Sequence, residues 1–121
     1  MYQDTNRKVW FAMPLVRHAV VFEDLYAQYN RREFVHPDPL EFLYLYADPA
    51  DVEVVAVVAS SLAYGRVAQI LKSVQRVLDA LGQSPAKTLR DSGPSRLMKL
   101  VGGFRHRFAT DEHMAGLLLG V

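Results

Sequence analysis

The chain has 121 residues, of which 50% are hydrophobic and 22% charged, with no cysteine and a formal net charge of +1. That length suits one domain with one hydrophobic core, and the composition is globular rather than the charge-rich, apolar-poor balance of disorder. Lack of cysteine excludes a disulfide framework, a thiolate nucleophile and a Cys-based zinc site, and fits a cytoplasmic location. Arg7, Lys8, Arg17 and Asp24 break the N-terminal apolar stretches before a signal peptide or membrane span could be completed, so no membrane association is expected.

In chain order, residues 1–14 are read as an irregular N-terminal segment, and the first helix is expected over 15–29, where Val16, Ala19, Val20, Leu25, Tyr26 and Tyr29 fall near helical spacing. The connector that follows contains Pro37 and Pro39, each lacking an amide proton and pushing its predecessor toward extended geometry. Asp38-Pro39 and Asp48-Pro49 are tandem helix starts, a capping carboxylate followed by a proline at the first helical position. The first opens a short apolar helix, LEFLYLY. The second opens a helix over 50–64 with Asp51 and Glu53 in its first turn, where carboxylates suit the helix N-terminus. Its run VVAVVASSLA has the β-branched content of a strand, but its length, caps and alanines favour a central helix buried on most sides. Small size for helix packing accounts for Ser60 and Ser61.

Gly65 interrupts the pattern. Arg66 then opens the clearest amphipathic helix, with Val67, Ile70, Leu71, Val74, Leu78 and Leu81 in one stripe, and Gly82 stands where a left-handed cap would end it. Ser84-Pro85 starts a short helix through 89 and Pro94-Ser95 another through 100, followed by a Gly102-Gly103 loop. Thr110-Asp111-Glu112 reads as the cap of the last helix, whose apolar end, LLLGV, implies either truncation or burial. The expected fold is therefore an all-α, compact multi-helix bundle forming a single domain over 1–121.

Charge is unevenly placed. Residues 1–65 carry five Lys/Arg against nine Asp/Glu, whereas 66–109 carry nine Lys/Arg against Asp79 and Asp91, a net of +7. Such a segment is either a solvated surface or the footprint of a polyanion such as DNA. His18, His36, His106 and His113 include no i, i+4 pair, so no metal site is read; no phosphate loop is present and no cofactor is implied. First-turn carboxylates (Asp48, Asp51, Glu53, Asp111, Glu112) are explained by capping. Ser60 and Ser61 lack a glycine elbow and a partner base, and no catalytic residue is assigned. Two stretches remain as candidates: Tyr64-Gly65-Arg66, a helix break that can project an aromatic ring and a guanidinium, and Phe104-Arg105-His106-Arg107-Phe108, which alternates basic and aromatic groups after two glycines. The plainer readings are a helix turn for the first and, for the second, Phe104 and Phe108 as core anchors with the charges outside.

The order Asp38-Pro39, Asp51 and Glu53, Leu62-Ala63-Tyr64-Gly65-Arg66, Ile70, Pro85 and Arg107-Phe108 resembles a bacterial family catalogued as domain of unknown function 2400, from about Tyr26 onward. The Ala-Tyr-Gly-Arg turn is its most specific element. His106 departs from the aromatic residue that the family tends to place before Arg-Phe. Members of that family continue further, into a region similar to helix-hairpin-helix DNA glycosylases that includes their catalytic aspartate stretch. The resemblance implies that this chain corresponds to the N-terminal half of a glycosylase-like helical fold, without a complete catalytic site, and that Tyr64 and Arg66 lie near nucleic acid. The expected function is DNA contact without catalysis through Tyr64, Arg66, Arg105 and Arg107. The alternative is an interaction module in which a second copy, another protein or a missing half covers the C-terminal helix.

Overall fold

Local capping chemistry sets most of the helix starts. A computed structural model describes the backbone of residues 7–121 and the side chains from His18 onward. The described residues are mainly helical, with one two-stranded antiparallel sheet. The chain divides into two units, Met1–Phe34 and Val35–Val121.

In the first unit, helix α1 spans Arg7–Tyr29 and is followed by a 3₁₀ turn, Arg32–Phe34. The expected irregular segment over residues 1–14 is corrected in part: helix already covers 7–14, and residues 1–6 lie outside the described residues. Pro14 costs α1 one amide donor but does not end it, because the helix continues through favourable residues on both sides. The Phe34 ring meets Tyr29 at 5.7 Å between centroids.

In the second unit, Asp38 accepts a hydrogen bond from the Leu40 amide at 2.8 Å and starts a 3₁₀ helix, Pro39–Leu45. Asp48 repeats this at the Ala50 amide, also 2.8 Å, and starts α2, Pro49–Ser61. A cap of this kind contributes about 1 kcal/mol. Helix α2 is the centre of the unit: Val54, Val55, Val58 and Ala59 are buried, as its apolar run predicts, and the 3₁₀ helix, α3 and α4 pack on it. It ends three residues before the expected 64, and Ser60 and Ser61 are exposed rather than packed, with the Ser60 hydroxyl donating to the Val57 carbonyl at 3.2 Å.

Helix α3, Val67–Leu81, buries Ile70, Val74, Val77, Leu78 and Leu81. Gly82 has the expected positive φ of 79°, but its ψ of −163° lies outside the left-handed helical region. Short helices α4, Pro85–Arg90, and α5, Pro94–Leu100, lead to α6, Asp111–Leu119, which lies against α5 and buries Met114, Ala115 and Leu118. Between α5 and α6 stands a hairpin that the helical pattern did not predict: β1, Arg105–His106, pairs with β2, Ala109–Thr110, with Arg105 opposite Thr110 and His106 opposite Ala109.

Asp51 corrects the first-turn reading. It is buried, and instead of serving its own helix it accepts the Ala86 amide at 2.9 Å and the Ser84 hydroxyl at 3.3 Å, capping α4 from a neighbouring helix. Burial, then the carboxylates of Asp51 and Asp79, push the Tyr46 phenol above its ordinary value of 10.0. Asp111 likewise reaches beyond its own helix, accepting the Gly103 amide at 2.8 Å. No helix among the described residues is long and apolar enough to cross a membrane.

Candidate functional site

The two stretches singled out above pack on one another. The Tyr64-Gly65 break precedes α3, and the hairpin returns to α3 some forty residues later. Their junction is built around His106, only 1% exposed. Its Nε2 lies 3.0 Å from the Tyr64 carbonyl, which can only accept, so Nε2 carries the proton in this bond. In the neutral ring Nδ1 is then an acceptor, and the Ser73 hydroxyl stands 2.8 Å from it. Gln69 extends the chain by donating to Ser73 at 3.5 Å, and the Tyr64 hydroxyl closes it by donating to the His106 carbonyl at 3.2 Å. The Tyr64 and His106 rings meet edge to face, 4.7 Å between centroids.

This network fastens the break to the hairpin. It is not a Ser-His nucleophile pair: Ser73 and His106 are both buried, and each ring nitrogen is already engaged. Polar groups in a core stay only where they are hydrogen-bonded, and here each finds a partner.

Outside the network the surface is basic. Gly65 has φ +103°, and a side chain there would meet Arg107, whose Cδ lies 3.1 Å and Nη1 3.2 Å from the Cβ position. A glycine is therefore required on two counts, backbone angle and the Arg107 side chain lying over it. Arg66 follows directly and is exposed. Arg107 is itself unusual, a non-glycine residue at φ +51°, and with Phe108 it forms the two-residue turn between paired His106 and Ala109. Arg105 is exposed on β1, opposite in direction to His106. Among the described residues no carboxylate stands within salt-bridge distance of Arg66, Arg105 or Arg107.

The structure thus brings Tyr64, Arg66 and Arg107 together at the break and carries Arg105 on the adjoining strand. The alternative placing both phenylalanines in the core holds for Phe104, 3% exposed, and fails for Phe108, 84% exposed. Arg76 also serves the junction, its guanidinium 3.4 Å from the Gly102 carbonyl and 6.0 Å from the Phe104 ring centroid. Other cations of the +7 segment lie elsewhere: Lys87 and Arg90 on α4, Arg96 and Lys99 on α5.

Ser73 and Gln69 escaped the sequence reading, and His106 entered it only as part of a basic and aromatic stretch, not as a buried anchor. Two signals were available: Ser73 interrupts the apolar face of α3 between Ile70 and Val77, and His106 falls in period-two register with Phe104. An open groove of about 480 Å³ is lined by Glu41, Lys72, Arg76 and Asp79 among others, and its mixed charges form no catalytic set. Among the described residues no three His, Asp or Glu side chains are grouped to hold a metal ion.

The family model described as "Protein of unknown function (DUF2400)" matches residues 38–121, which include both the break and the hairpin. No curated protein and no solved structure matches the chain.

Proposed function

The chain belongs to the DUF2400 family, and from that premise we propose that its second unit contacts DNA through the Tyr64 break and the 105–110 hairpin, without performing catalysis. The observation that carries this reading is the Arg107 side chain laid over Gly65 beside exposed Arg66, with no described carboxylate to neutralise either. Guanidiniums without a carboxylate partner are the groups that take phosphate oxygens in bidentate geometry. Arg105 adds a third cation, and Tyr64 positions the break. Kinship with helix-hairpin-helix DNA glycosylases, which rests on the likeness of the family's further region, is part of the same proposal. That kinship is an analogy of fold and assigns no catalytic group here.

Reversing Arg66, Arg105 and Arg107 together to Glu, all exposed and thus compatible with folding, tests it. The reversal is expected to abolish duplex binding; unchanged affinity sinks the proposal.

A second reading, a protein-interaction module, rests on a groove of about 420 Å³ between α2, α4 and α6 that reaches exposed Leu119 and Val121. Sedimentation across a wide concentration range tests its self-association form, and a strict monomer contradicts that form.

A further inference from the structure

We infer that Phe108 is a base-stacking residue, and that the preferred ligand of the break-and-hairpin surface is a nucleic acid with unpaired bases rather than an intact duplex. The inference rests on the nucleic-acid reading above and specifies the form of the ligand. Three observations lead to it. Phe108 is 84% exposed, the most exposed large apolar side chain among the described residues. It occupies the second position of a two-residue hairpin turn, where the chain reverses at the surface. Arg107 beside it adopts φ +51°, a conformation that costs an arginine energy a glycine would not lose. The turn therefore gives up local stability at Arg107, and it presents one guanidinium and one aromatic ring.

The strand that leads to the ring is anchored. His106 fastens it through both ring nitrogens, and Arg107 lies over Gly65, its guanidinium carbon 5.8 Å from the Phe108 ring centroid. An aromatic face flanked by unpaired cations suits a base whose phosphates lie to either side; every base offers a π-face, so such contact tolerates any sequence. Bases inside a duplex already stack on their neighbours, and reaching them costs unstacking energy. A single strand offers the face freely.

The test measures binding of the 121-residue chain and its Phe108 variants to a labelled single-stranded oligonucleotide, to the same sequence as a duplex, and to phosphatidylserine vesicles. The unaltered chain is expected to favour the single strand. Phe108→Ala should lose about 5- to 150-fold on the single strand while its duplex affinity stays unchanged. Phe108→Trp should retain single-strand affinity, and Phe108→Leu should be as weak as the alanine variant. Full affinity in Phe108→Ala, or equal losses on single strand and duplex, overturns stacking and leaves the charge-based reading standing. Full affinity in Phe108→Leu overturns it in favour of simple apolar contact. Failure of the unaltered chain to bind either nucleic acid overturns both readings, and binding to the vesicles alone reassigns the surface to an anionic membrane.

Discussion

Asp51 and His106 are both polar side chains buried in the same apolar unit, and they serve different ends. Asp51 takes the Ala86 amide and the Ser84 hydroxyl at the start of α4; its hydrogen bonds close a helix terminus inside the core. His106 takes the Tyr64 carbonyl and the Ser73 hydroxyl, and the chain on either side of it emerges as Arg105, Arg107 and Phe108, all exposed. The first is a fastener between two helices, the second the foundation of a surface. A buried polar network is thus no signal of function by itself; what it holds at the surface decides.

Removing each group tests this contrast. His106→Ala creates a cavity and strands the Ser73 and Tyr64 partners, and should cost about 4 kcal/mol in urea unfolding. Measured where it remains folded, it should also weaken DNA binding, because the hairpin loses its anchor. Asp51→Ala should cost about 3 kcal/mol by stranding the buried Ala86 amide, yet leave DNA affinity unchanged. Equal binding losses in both variants would erase the distinction.

Gly65→Ala sharpens it further. The substitution places a methyl group at φ +103° against Arg107, and about 2 kcal/mol of stability should be lost. The displaced Arg107 should weaken binding by more than the loss of stability explains, visible as a lower affinity well below the melting temperature.

The smallest effect concerns Tyr46, beside Asp51. Its folded phenol titrates above the unfolded value of 10.0, so its stabilising share is complete below that pH and is lost as pH rises through the folded value. Tyr46→Phe should remove part of the fall in Tm above about pH 10; an unchanged alkaline limb contradicts this assignment.

Much of the fold was legible because its causes are local. Asp38, Asp48 and the prolines after them act within two residues, and the α3 stripe repeats at helical period. The site was half legible. Tyr64 and Arg66 stood out at a glycine break, but the hairpin did not, because its turn is Arg-Phe rather than a glycine or asparagine pair. His106 was hidden by its neighbours: between two arginines it reads as part of a basic run, its register with Phe104 is a weak signal, and its partner Ser73 lies 33 residues away. Asp51 was misread for the same reason, since a first-turn carboxylate has a sufficient local explanation, and the α4 amide it serves lies 35 residues on.

Arg66, Arg105 and Arg107 are proposed to form one phosphate-binding surface. Its most direct measurement is the dependence of duplex affinity on salt. Three phosphate contacts predict a slope of log K against log salt of about −2.7, reduced in magnitude by about 1 in Arg107→Gln. A slope near zero, or one that Arg107→Gln leaves unaltered, would contradict a phosphate-binding role for these arginines.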